Sequence, residues 1–133
     1  MVVNAHQARR CLLPIRLAHL PTGATVPNCT VALAKDSPGV YSDGSMTVVD
    51  GLRRLRVQAE AVPPGSGDYP KPLKAGQYQV YADPGGRSWT MLSRGLFITA
   101  TTETRKSPFT QAEVLQILGG LRIADQVHNP DTW

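Results

Sequence analysis

The stretch Phe109-Thr110-Gln111-Ala112-Glu113-Val114 constrains this chain more than any other, because it spells out a helix start directly after a run of strands and turns. Thr110 can accept the third amide of the helix while Glu113 returns the bond, and Phe109 and Val114 occupy the two positions of a hydrophobic staple. Val114, Ile117, Leu118 and Leu121 follow at the spacing of one helical face. Gly119-Gly120 then suits a cap that tucks Leu121 back onto the last turn. A single amphipathic helix at the end of a strand-rich chain must lay its stripe on a sheet. The expected fold is therefore α+β, a twisted antiparallel meander with one C-terminal helix on one face.

Upstream, residues 12–19 alternate until the turn Leu20-Pro21-Thr22-Gly23, and residues 29–33 form a second strand. Residues 40–42 and 46–49 flank Asp43-Gly44, a dipeptide typical of two-residue hairpin loops, so a hairpin is expected there. Leu55, Val57, Ala59 and Ala61 alternate with Arg54, Arg56, Gln58 and Glu60, which gives one apolar and one solvated face. Residues 62–74 carry Pro63, Pro64, Pro70 and Pro72 with Gly65 and Gly67, the composition of an exposed loop. Three meander strands follow at 77–82, 87–93 and 96–102, turned by Asp83-Pro84-Gly85-Gly86 and by Arg94-Gly95. Thr99, Thr101 and Thr102 read as the wet face of the last of these. Residues 1–11 show neither alternation nor caps and read as a loose arm, 12–124 as one α+β domain, and 125–133 as an irregular tail.

At 133 residues, with 18% charged residues, 12 Gly and 11 Pro, the chain suits one turn-rich sheet domain rather than a helical bundle. The formal charge is +4 but the basic residues are scattered, and only 6% of residues are aromatic. A nucleic-acid binder concentrates positive charge and interleaves aromatics for stacking, so no nucleic-acid partner is expected. No apolar run has the length of a membrane span, so a membrane is expected to be reached only through an anchor absent from the chain. No oligomeric state is legible.

Cys11 and Cys29 are the only cysteines, and His6, His19 and His128 show no metal-ligand spacing with them. Each cysteine opens an alternating apolar run, so both sulfurs face one core. A disulfide between them closes a loop of about 19 residues, worth ~3 kcal/mol in the chain-entropy model, and places the domain in an oxidising compartment. The alternative is two buried free thiols. No catalytic constellation is legible: Gly65-Ser66-Gly67 lacks the strand and helix of a nucleophile elbow, and Gly85-Gly86 lacks the lysine and helix of a phosphate loop. The aspartates stand at turns, Glu113 serves the helix cap, and His19 lies on a strand beside Leu13, Ile15 and Leu17 as a half-buried structural residue. No enzyme activity, metal or cofactor is expected.

Leu13-Pro14-Ile15-Arg16, Leu20-Pro21-Thr22-Gly23 leading to Val26, Trp89 in a meander strand, and Phe109-Thr110 through Glu113 to Gly120-Leu121 resemble the extracytoplasmic domains of actinobacterial membrane-anchored proteins. These include lipoproteins and the outer parts of anti-sigma-factor-like regulators. The resemblance runs from about Leu13 to Leu121, rests on turns and one capped helix, and carries over no catalytic residue. It implies a non-catalytic binding or sensor module outside the cytoplasm, secreted or as an anchored ectodomain.

The functional expectation is therefore a domain that recognises a protein or cell-envelope partner through its sheet face or the 62–74 loop. Tyr69, Lys71, Trp89, Arg54 and Arg56 are the candidate contacts, although Trp89 is most simply a core anchor. Two other readings have their own signatures. A carrier of a small apolar ligand requires a large cavity under Ile117 and Leu118, and a small hydrolase requires a cleft joining His19 with an acid and a nucleophile.

Overall fold

The computed structural model describes residues 2–4, 13–33, 41–61, 72–83, 85–94, 96–103 and 108–128. The strands are β1 (Val2–Asn4), β2 (Ile15–Leu17), β3 (Thr25–Leu33), β4 (Tyr41–Asp50), β5 (Arg53–Glu60), β6 (Leu73–Ala75), β7 (Tyr78–Ala82), β8 (Ser88–Ser93) and β9 (Leu96–Thr102). Helix α1 (Gln111–Gly119) and β10 (Leu121–Ile123) follow. Eight strands form one antiparallel sheet in the order β1-β3-β4-β5-β9-β8-β7-β6, and β10 pairs with β2 in a separate short ribbon. The expected α+β architecture is the one observed.

Period-two alternation gives the sheet one buried face. Met46, Val57, Ala100 and Trp89 stand abreast across β4, β5, β9 and β8, with Ala59, Ile98 and Met91 in the next row, and all are buried. Helix α1 lays Val114, Ile117 and Leu118 onto this face and lies over β6 and β7. The helix begins as its sequence dictates. The Thr110 side chain accepts from the Glu113 amide, Glu113 reaches back to the Thr110 amide, and Phe109 and Val114 are both buried. Leu13, Ile15 and Leu121 of the ribbon complete the core.

Several expectations are corrected. Asp43-Gly44 is not a hairpin loop. It lies inside the continuous strand β4, where Gly44 is buried and pairs with Val31 on one side and Ala59 on the other. Two full ladders outweigh one local turn preference, and the reversal falls at Gly51-Leu52, where Gly51 has φ +63°. Thr102 belongs to the buried face rather than the wet one, since it continues the inward series Leu96, Ile98, Ala100. The N-terminal arm is not wholly loose, because Val2–Asn4 pairs with β3 as the edge strand. Strand β3 starts four residues earlier than expected: its register shifts between Thr25 and Asn28, which accommodates Pro27 where no amide is available.

Candidate recognition surface

The outward side chains of the sheet form rows of hydroxyls, amides and charges. Thr47, Arg56, Thr101 and Ser88 are neighbours across β4, β5, β9 and β8, and Ser45, Gln58, Thr99, Thr90 and Tyr81 form the row beside them across five strands. Side-chain hydrogen bonds run across the strands, Thr30 Oγ1 to Ser45 Oγ at 3.3 Å and Ser88 Oγ to Thr101 Oγ1 at 3.3 Å, and along β5, Gln58 Nε2 to Glu60 Oε1 at 2.8 Å. Arg54 and Arg56 are exposed on this face and stand above it as its positive charges. Leu92, 63% exposed, and Phe97 sit opposite each other at one end. A polar face with hydroxyls, two guanidiniums, the opposed carboxylates Asp43 and Glu60, and an apolar corner can hold another surface by hydrogen bonds and charge.

The other candidate contacts fall elsewhere. Trp89 is 1% exposed on the inner face, where its Nε1 donates to Gln111 Oε1 at 3.4 Å, so it anchors the helix and offers no surface to a partner. Tyr69, Lys71 and the rest of the 62–71 segment lie outside the described residues, as do Cys11 and Gly65-Ser66-Gly67. Cys29 is buried on the inner face opposite Met46. His19 is not half-buried on a strand. Strand β2 ends at Leu17, and the exposed His19 lays its ring over the Cα of Gly120.

The strongest electrostatic feature was missed from sequence. Arg53 donates both guanidinium nitrogens to the Glu113 carboxylate at 2.7 and 2.8 Å and also reaches Asp50 Oδ2 at 2.6 Å, while its plane lies 4.3 Å from the centre of the Phe109 ring. Hydrogen bonds from Arg53, and then from the Thr110 amide, hold the Glu113 carboxyl down at about 2. The bonds to Glu113, and then to Asp50, raise the Arg53 guanidinium further above its ordinary value. This clamp fastens the helix start to the β4–β5 turn. With both partners committed to each other, it is a structural joint. Its only sequence signal was the odd-numbered arginine that broke the alternation with Arg54 and Arg56.

Two cavities, of about 250 and 300 Å³, share Arg122 and Ile123 of β10 in their linings. Neither is lined by Ile117, Leu118 or His19. Among the described residues no three His, Cys, Asp or Glu side chains gather as a metal site, and no helix is long and apolar enough to cross a membrane.

Fold and surface together define an α+β protein whose antiparallel sheet is roofed on one face and polar on the other. No family model matches the chain, and no curated protein matches it. Among solved structures the chain is similar in fold to one from the crystal structure of MucB in complex with MucA(peri), with 18% sequence identity and a TM-score of 0.48. The match covers 84% of this chain and 36% of that one, so this chain spans about a third of that neighbour's length.

Proposed function

We propose that this chain is a non-catalytic recognition domain that works outside the cytoplasm and binds a protein or cell-envelope partner through the open face of its sheet. The observation that carries this reading is the polar face of β4, β5, β9 and β8, where Arg56 lies in register with three hydroxyl side chains, Thr47, Thr101 and Ser88, and no described residue covers them. A buried inner face and a hydroxyl-rich outer face leave the outer one available for contact, with Arg54 and Arg56 placed for acidic groups of a partner and Asp43 and Glu60 for basic ones. Tyr69 and Lys71, in the stretch between β5 and β6 that lies outside the described residues, belong to the same proposal; Leu73 and Lys74, expected in that loop, are in β6.

Location outside the cytoplasm is supported by sulfur chemistry. Cys29 carries a bonded rather than a free sulfur, and Cys11 is the one other cysteine of the chain. A structural Cys11–Cys29 bridge belongs to an oxidising compartment. The resemblance to actinobacterial anchored ectodomains points the same way, toward a sensor or regulator domain held at the envelope.

The binding face is tested by placing a photo-crosslinking residue at Thr99 and, separately, at Gln116 on the exposed side of α1, then irradiating cells that carry each variant. Adducts of defined mass are expected from Thr99, absent from Gln116, and reduced by Arg54→Glu with Arg56→Glu. Equal adducts from both positions, or none from Thr99, would remove the reading.

A further inference from the structure

We propose that the β2–β10 ribbon is a binding site for a small, multiply charged oxyanion, held by Arg122 together with Arg16 and Arg94. This site lies apart from the open sheet face and does not depend on the function proposed for that face.

The register is the starting point. Arg16 and Arg122 are direct cross-strand partners, and both are exposed. The flanking bonds, Ala18 N to Gly120 O at 3.0 Å and Ala124 N to Pro14 O at 2.7 Å, lie two residues either side. They make Arg16 and Arg122 a hydrogen-bonded pair, with Cα atoms about 5.5 Å apart and side chains on one face. Like charges directly opposite each other destabilise a strand pair. The ribbon is only three residues long on each strand, yet among the described residues no carboxylate forms an ion pair with either arginine. Arg122 donates to the Leu121 carbonyl at 3.3 Å and keeps its remaining donors. A bound anion converts this repulsion into two attractions.

Space and shape agree with that role. The 250 Å³ cavity is lined by Arg16, Arg122 and Asp125 over Leu13 and Pro14, and the 300 Å³ cavity by Arg122, Arg94, Ser93 and Tyr78. Arg122 and Ile123 line both. Three guanidiniums around two adjoining hollows of this size suit a carboxylate or phosphate group, whose oxygens match the planar donor fork. Extension of the ribbon by an added peptide strand is disfavoured, because the outward Leu121 carbonyl already accepts from Tyr78 Oη at 2.7 Å.

One group opposes the ligand. Asp125 lines the smaller cavity and accepts from Arg94 Nη1 at 3.3 Å, but its side chain is 96% exposed and the bond is long. An incoming oxyanion takes its place on Arg94. Neutralising Asp125 therefore strengthens binding.

The test is titration of the folded chain at low salt with inorganic phosphate and, separately, with tricarballylate, read by amide shifts and by calorimetry. Saturable shifts at Arg16, Arg94 and Arg122 are expected with at least one anion. Phosphate alone, tricarballylate alone, or both identifies the group recognised. Arg122→Gln and Arg16→Gln each weaken binding about tenfold, the loss of one charge-assisted contact. Asp125→Asn tightens it, and Lys74→Gln on β6 leaves it unchanged. All four positions are exposed, and a retained cooperative thermal transition shows that each variant folds. No saturation by either anion up to about 10 mM, weaker than any useful site, would overturn the proposal. Equal weakening by Lys74→Gln and Arg122→Gln would overturn it too, by reducing the effect to net charge.

Discussion

At the scale of single residues, Arg53 and Thr102 illustrate opposite treatments of a polar group near the core. Arg53 places three donor bonds on Glu113 and Asp50, and its plane lies over the Phe109 ring. Because the folded Glu113 carboxyl titrates near 2 against an ordinary 4.5, it contributes stability that is complete above about 4.5 and is lost as pH falls through about 2. With the two side chains 22% and 27% exposed, solvent screening reduces that contribution to about 1–2 kcal/mol. Glu113→Gln keeps a capping-box side chain and removes the charge. Its urea-unfolding deficit against the parent is expected near pH 6 and should shrink toward pH 2; a deficit independent of pH would mean that packing, not charge, makes the joint. Thr102 is the reverse case. Among the described residues its buried Oγ1 has no partner, so Thr102→Val, which keeps the shape and removes the orphan, should raise stability by about 1 kcal/mol in the same assay.

Between elements, glycine decides how closely the helix end can approach its neighbours. A Cβ on Gly120 would stand 2.8 Å from the backbone nitrogen of His19, and the Gly120 carbonyl is already tied to Ala18 N. The imidazole can swing aside but the backbone cannot, so Gly120→Ala should cost about 1–3 kcal/mol. In a His19→Ala background most of that cost should persist; if it disappears, the ring alone was the obstacle. These approaches explain what was legible in the sequence and what was not. The capped helix, the β5 alternation and the β7–β8–β9 meander were readable because each is specified by neighbours a few residues apart. The Asp43-Gly44 hairpin failed because β3 and β5, from either side, claimed that backbone. Strands β1 and β10 are three residues each, too short to show a period, and exist only through distant partners. Of the recognition surface, Arg54 and Arg56 were identified from their alternation. The opposed Arg16 and Arg122 were not, since 105 positions separate them and only the ribbon's register brings them together.

For the molecule as a whole, the β1–β3 edge is the side of the sheet farthest in strand order from the helix. The helix lies over β6 and β7, at the far end of the sheet, and the ribbon is joined to that same end by the Tyr78 hydroxyl. Strand β3 has Cys29 as its one buried side chain among those described, so its hold on the core passes through that residue and through β4. The proposed Cys11–Cys29 bond would tie this edge to the chain just before the buried Leu13. The proposal predicts no reactive thiol in the denatured chain before reduction and two after it. Reduction should then lower stability by ~3 kcal/mol, the closure entropy of a loop of about 19 residues. The loss should also be directional. Amide exchange in β3 and β1 should accelerate in the reduced protein while β9, paired on both sides in the middle of the sheet, stays protected. Two reactive thiols before reduction would remove the bridge, and with it the main physical support for a life outside the cytoplasm. Uniform acceleration across β3 and β9 would keep the bridge but make it a support of the whole core rather than of one edge.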